Sequence, residues 1–217
     1  MMTRKIKLYW DIFDKERLAL LPKLKFLKER GFYLAGGTAL ALQIKHRKSV
    51  DFDFYYKNKF DSEKILFEFQ KKNKKVVLIQ KAEDTLIVKV EGIEISLFTY
   101  PYKLVKQLIE TEYLNLASIE DIAAMKLIAI IQRGVQRDLV DLYFLIKCLG
   151  LAKIVQLTKE KYPIFNKYLG LQALTYFGDA ENASLERKII LFEPLTWDEI
   201  KDFIITEVKE FKKGLKQ

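Results

Sequence analysis

Over residues 12–30, IFDKERLALLPKLKFLKER, apolar positions recur at helical spacing with basic residues between them. A helix is expected there, broken or kinked at Pro22 and closed by Gly31. FYLA, apolar and aromatic, then runs into Gly36, Gly37 and Thr38 and on into ALALQIKH, which predicts a strand, a tight turn and a helix with Thr38 as its N-cap. SVDFDFYY alternates in period two, putting Val50, Phe52 and Phe54 on one face and Asp51 and Asp53 on the other. DSEKILFEFQKK predicts a helix capped by Asp61, and KVVLIQK, TLIVKV and IEISLFTY predict three strands joined by AED and EG turns.

Past Pro101 the pattern changes. LIETEYLNL reads as one last strand, and SIEDIAAMKLIAIIQR opens as a helix with Ser118 as cap and an acidic residue, Asp121, completing a capping box; Gly134 ends it. Further helices are expected over QRDLVDLYFLIKCLG, LAKIVQLTKEKY and TWDEIKDFIITEVKEFKKG, the last with a Thr196–Glu199 box, while residues 163–190 give no clear pattern. The expected fold class is α/β (α+β): an N-terminal mixed β-sheet flanked by helices over residues 1–117, then a C-terminal helical bundle over 118–217.

Composition narrows the chemistry. The chain has 217 residues, long enough to bury a core, with 38 Lys+Arg against 29 Asp+Glu. The single Cys148 excludes an internal disulfide and a Cys-rich zinc site, and the single His46 excludes any site needing two histidines. A cytoplasmic setting is expected, with no membrane span or secretion signal. The formal charge of +9 favours a polyanionic partner by long-range attraction.

The candidate chemistry lies in order and spacing. A strand, Gly-Gly-Thr, a helix and a strand bearing Asp51 and Asp53 would let a phosphate approach the glycine backbone at a helix N-terminus, with two carboxylates beside it for divalent metal. Mg²⁺ takes carboxylate and phosphate oxygens, and two such ions can stabilise the attacking and leaving oxygens of phosphoryl or nucleotidyl transfer. No P-loop, dinucleotide fingerprint or H-E-x-x-H is present. Lys126 interrupts an apolar helix, where a lone ammonium is costly and invites a phosphate or carboxylate partner. His46, Arg47 and Lys48 read either as a solvated loop or as contacts to triphosphate or an RNA backbone, Arg47 foremost because guanidinium binds phosphate in bidentate geometry.

LAGGTALALQIKHRKSVDFDF followed by SIEDIAAMKLIAIIQRGVQRDLVDLYFLI resembles the AbiEii/AbiGii toxin family of nucleotidyltransferases, in the polymerase-beta-like superfamily, over residues 31–149. The resemblance implies a nucleotide-binding turn at Gly36, Gly37 and Thr38, metal ligation by Asp51 and Asp53, and an Asp121…Lys126 motif whose lysine contacts nucleotide phosphates. Arg137, Asp138 and Asp141 match the family's R-D-x-x-D motif, in which a carboxylate acts as base or organises the site. A helical domain completing the active site is implied, as are Mg²⁺ (or Mn²⁺), a nucleoside triphosphate substrate, the 3′ end of tRNA as acceptor and a cognate antitoxin.

One position departs from related transferases, which carry a third carboxylate on a later strand. In GIEISLF either Glu94 fills that role or Ser96 stands in its place. Two other functions therefore stay open: a nucleotide-binding interaction module without transfer activity, and a small-molecule nucleotidyltransferase of the antibiotic-modifying kind.

Overall fold

Asp14 starts the first helix, its carboxylate accepting the Arg17 backbone N–H at 2.9 Å, and the computed structural model, which describes residues 6–182 and 188–215, carries α1 over Lys15–Glu29. A short 3₁₀ turn at Trp10–Ile12 precedes it. Pro22 lies inside α1 and does not break it. A buried Leu contributes about 1.5–3 kcal/mol, so burying Leu20, Leu21, Leu24 and Leu27 together outweighs the roughly 3 kcal/mol cost of an interior proline. Gly31, at φ +84°, follows in the left-handed region that ends the run.

The chain then gives β1 (Tyr33–Ala35), α2 (Gly36–Ile44), β2 (Phe52–Tyr56), α3 (Ser62–Lys72), β3 (Val76–Ala82), β4 (Thr85–Val90) and β5 (Ile93–Thr99). Asp61 caps α3 as its sequence predicts, accepting the Lys64 N–H at 3.1 Å. Glu91 and Gly92 both have positive φ, the backbone of a two-residue hairpin turn, and they set the β4–β5 register at Val90↔Ile93. The stretch expected as one last strand instead folds back on itself as β6 (Ile109–Glu110) and β7 (Asn115–Leu116). Thr111 closes that turn, its hydroxyl accepting the Leu114 N–H at 3.0 Å while its own N–H donates to the Leu114 carbonyl at 2.9 Å.

Seven strands form one mixed sheet in the order β3-β4-β5-β2-β1-β7-β6, with β2 at its centre. β2 is antiparallel to β1 and parallel to β5. Phe52 and Phe54 are buried beside Ile95 and Leu97, and the Phe13 ring lies 5.3 Å from Phe52. Val50, expected with them, precedes the strand and is exposed, because the ladder begins only at Phe52. At one edge β3 leaves Val77, Leu78 and Ile79 exposed.

Residues up to Lys45 together with Ser49–Ser118 form one compact unit; His46–Lys48 together with the chain from Ile119 onward form a second. The second is helical: α4 (Ile119–Arg133), α5 (Gln136–Leu149), α6 (Leu151–Lys161), α7 (Lys167–Ala173), α8 (Gly178–Asn182) and α9 (Trp197–Gly214). Gly134 and Gly150, both at positive φ, separate α4 from α5 and α5 from α6. The Thr196–Glu199 capping box opens α9. In the stretch without a sequence pattern, Asn166 caps α7 by accepting the Tyr168 N–H at 2.9 Å. His46–Lys48 pairs with Ile190–Phe192: Lys48 N–H donates to the Ile190 carbonyl at 2.9 Å and Phe192 N–H to that of His46 at 3.1 Å.

Candidate active site

Gly36, Gly37, Thr38, Asp51, Asp53 and Glu94 belong to the first unit; Arg47, Lys126, Arg137, Asp138 and Asp141 belong to the second.

In the first unit β1 ends directly in α2, so the first-turn N–H groups of Gly36, Gly37 and Thr38 stand at a helix start with no side-chain cap. Gly36 has φ +68°, and a methyl group there would meet Oδ2 of Asp53 at 3.1 Å. Only glycine satisfies both the backbone and the close approach of that carboxylate. Thr38 is not the N-cap its sequence suggested, because the helix begins two residues before it, with Ala35 in the capping position. Its buried hydroxyl instead donates to the Asp51 carbonyl and lies 2.8 Å from the Ser49 hydroxyl, tying α2 to the approach of β2.

Asp53 lies on the central strand and Asp51 just before it; both are half-buried. The register answers which residue of β5 stands beside Asp53: it is Ser96, with Glu94 two residues earlier on the same face. Among the described residues no group of three or more His, Cys, Asp or Glu side chains is gathered closely enough to hold a metal ion. The two aspartates still suit Mg²⁺ or Mn²⁺ chemically, since such ions bind through one or two carboxylates with water and substrate phosphate completing the shell.

The second unit holds a buried ion network. Asp141, fully buried, accepts from Arg47 Nε at 2.6 Å, Arg47 Nη2 at 3.0 Å and His46 Nε2 at 2.8 Å, and its Oδ2 lies 2.6 Å from Lys126 Nζ. Asp138 accepts from Lys126 Nζ at 2.7 Å and from Arg133 Nε at 2.8 Å. Burial alone would raise the Asp141 carboxyl, but the attraction of Arg47 and Lys126 and the His46 hydrogen bond outweigh it and hold it well below the usual carboxylate range. Asp138 is lowered by the same opposition, with Lys126 and Arg133 overcoming burial. Burial would lower Lys126, yet its two carboxylates raise it. His46 is the reverse case, since burial lowers it and the Asp141 bond only partly compensates.

Lys126 thus finds the carboxylate partner that a lone ammonium on an apolar helix requires. His46 and Arg47, read from sequence as a solvated loop or a phosphate contact, are buried; Arg47 is held by Asp141 and donates through Nη1 to the Lys48 carbonyl at 3.0 Å. Arg137 is exposed, and the guanidinium on Asp138 is that of Arg133, five residues upstream across the α4–α5 turn. Asp121 accepts from Lys161 Nζ at 2.8 Å, both side chains fully buried. Sequence reading missed Arg133 and Lys161. The available signal was thin: a charged residue, like Lys161, recurring on the apolar face of a helix asks for a buried partner.

The model of the nucleotidyl transferase AbiEii toxin, type IV toxin–antitoxin system, matches residues 21–214. The chain belongs to the AbiEii family. An uncharacterized protein of Aquifex aeolicus is 38% identical over 186 residues, covering 83% of this chain and 87% of its own. Among solved structures, JHP933 from Helicobacter pylori shares 18% identity at a TM-score of 0.61, covering 96% of this chain and 95% of its own. MenT4, a nucleotidyltransferase toxin of Mycobacterium tuberculosis, shares 17% at 0.56, covering 88% and 80%. The antibiotic-resistance factor ANT(2″)-Ia shares 11% at 0.53, covering 68% and 92%. These structural likenesses are of fold. They agree with the mixed α/β architecture expected of an AbiEii chain. No helix among the described residues is long and apolar enough to cross a membrane.

Proposed function

We propose that the protein is a cytoplasmic, metal-dependent nucleotidyltransferase that moves a nucleoside monophosphate from a nucleoside triphosphate to an acceptor hydroxyl, the 3′ end of tRNA in the reading we favour, and that a cognate antitoxin counters it. The observation that carries this reading is the approach of Asp53 to Gly36, which puts a carboxylate of the central strand beside an uncapped helix start. The N–H groups of Gly36, Gly37 and Thr38, together with the positive end of the helix dipole, bind triphosphate oxygens. Asp51 and Asp53 would hold Mg²⁺ or Mn²⁺, with Glu94 on the same face two residues before Ser96; the ion would supply charge that offsets the phosphates and makes the α-phosphorus more electrophilic. The acceptor hydroxyl gives up its proton to solvent as its oxygen bonds to the α-phosphorus, and the bond from the α-phosphorus to the bridging oxygen breaks to release pyrophosphate.

The family motif allows Asp138 or Asp141 to be a base. Carboxylates held below their usual range by buried cations are poor proton acceptors at neutral pH, so we assign both to organising His46, Arg47 and Lys126. Lys126 is buried between Asp138 and Asp141, so the cation of the R-D-x-x-D motif that we assign to phosphate is exposed Arg137.

The test is incorporation of label from each α-³²P nucleoside triphosphate into total tRNA with Mg²⁺, beside Asp53→Ala. Label that disappears in the variant supports transfer and names nucleotide and acceptor. Ser96 beside Asp53 favours a second reading, a nucleotide-binding module without transfer; nucleotide binding with no labelled product of any kind would select it.

A further inference from the structure

The two acidic residues at the mouth of β2 are placed by different means. Asp53 lies within the ladder, opposite Ala35 of β1 and Ser96 of β5, so backbone pairing fixes it on both sides. Asp51 precedes Phe52, where the strand begins, and its position needs a hold of another kind. Two side chains take hold of carbonyls there, each from a different helix. Thr38 of α2 donates its hydroxyl to the Asp51 carbonyl. Arg17 of α1 reaches across 33 residues of chain and donates through Nε to the Val50 carbonyl at 2.9 Å. Arg17 is itself steadied by Asp14, the N-cap of α1, which accepts its backbone N–H at 2.9 Å through Oδ1 and pairs with Nη1 through Oδ2. An arginine that served only to keep a helix end soluble would extend into water. The Arg17 side chain is instead 16% exposed, with Nε and Nη1 both engaged. It stands before residue 21, where the AbiEii match begins, so the motifs shared with the family do not include it.

We infer that Arg17 is a positioning residue for the metal-binding end of β2. By holding the Val50 carbonyl, with Asp14 holding it in turn, it fixes the backbone from which the Asp51 carboxylate meets a divalent ion; in this role it touches neither ion nor nucleotide. Groups that orient a metal ligand from behind change metal affinity by roughly 10–100-fold when they are removed. A charged donor on a carbonyl is about twice as strong as a neutral one, which suits a segment that has no ladder bonds of its own. This inference rests on the transferase reading and concerns the same site.

The experiment titrates full-length protein into the Mn²⁺ complex of a non-hydrolysable triphosphate analogue and follows water-proton relaxation, which rises when the complex joins the protein. The metal-free analogue, titrated by calorimetry in the presence of a chelator, is the second probe. Arg17→Met keeps the aliphatic stem and removes the donors; we expect it to weaken binding of the Mn²⁺ complex about tenfold and to leave the metal-free analogue unchanged. Arg17→Lys keeps the charge without the two-point grip, and Asp14→Asn keeps the helix cap while loosening its hold on Arg17, so both should fall between wild type and Arg17→Met. Urea midpoints accompany each variant. A lowered midpoint with wild-type affinity for the Mn²⁺ complex assigns Arg17 to stability alone and overturns the inference. An equal loss for the metal-free analogue overturns it too, placing the effect on the α2 turn rather than on the metal. A wild type that binds neither probe fails the transferase reading itself, and this inference with it.

Discussion

Two pairs of aspartates, each within one element or at its mouth, meet opposite fates. Asp51 and Asp53 are half-buried around the first residues of the central strand, one of them against a glycine that leaves it room. Asp138 and Asp141 are sealed, and their charge is answered by Lys126, Arg47 and Arg133. A half-buried carboxylate can still be reached by a ligand, whereas a sealed one survives only by committing its lone pairs to cations inside the protein. Membership of a catalytic motif does not distinguish the two; burial does.

The contrast is broken most directly by exchanging its terms. Asp53→Ala should lower transfer by about three orders of magnitude, the scale of several kcal/mol of lost charge stabilisation, while its urea midpoint stays close to wild type; a large fall in midpoint would make Asp53 a structural residue. Asp141→Ala should do the opposite first, costing about 3–5 kcal/mol of stability because Arg47 and Lys126 are left buried without their partner. Wild-type-like denaturation of that variant would show that the network is looser than its distances imply.

Gly36→Ala sharpens the comparison at smaller scale. A left-handed φ costs a residue with a Cβ about 1–2 kcal/mol, and the new methyl crowds Asp53 Oδ2, so we expect a modest loss of stability with a larger loss of nucleotide affinity, read by calorimetric titration. The smallest effect is in pH. His46 has a lowered pKa in the fold, so below about 6.5 the unfolded chain takes up a proton that the folded chain refuses, and stability falls with falling pH from that point. The lowered Asp138 and Asp141 act further down: their contribution is full above the unfolded carboxylate pKa of about 3.9 and is lost as pH falls through their folded values. Denaturation between pH 8 and 5 should show the first slope in wild type and not in His46→Gln; identical slopes would remove His46 from the account.

Much of this was legible in the chain, because local signals and tertiary outcome agree where periodicity is strong. Asp61, Gly134 and the Thr196–Glu199 box act where the pattern puts them. The failures share a cause, which is a distant partner. Thr38 has the chemistry of a cap, but Ser49 and Asp51 capture its hydroxyl. Pro22 is a breaker by itself and is overruled by the leucines around it. The register that sets Ser96 beside Asp53 depends on β5 returning parallel to β2, and no spacing along the sequence encodes that pairing.

The exposed edge at β3 carries a consequence of another kind. Val77, Leu78 and Ile79 lie on an outermost strand whose outward backbone groups invite a second strand, the arrangement from which edge-to-edge aggregation grows. Lys81 is paired with Glu63, whereas Lys74 and Lys75 precede that run as gatekeepers, since docking of two copies edge to edge brings like charges together. Their repulsion reaches only about 8 Å at physiological ionic strength. How long a concentrated solution stays clear is therefore governed by salt and crowding at one border of the sheet, far in character from the chemistry at its centre.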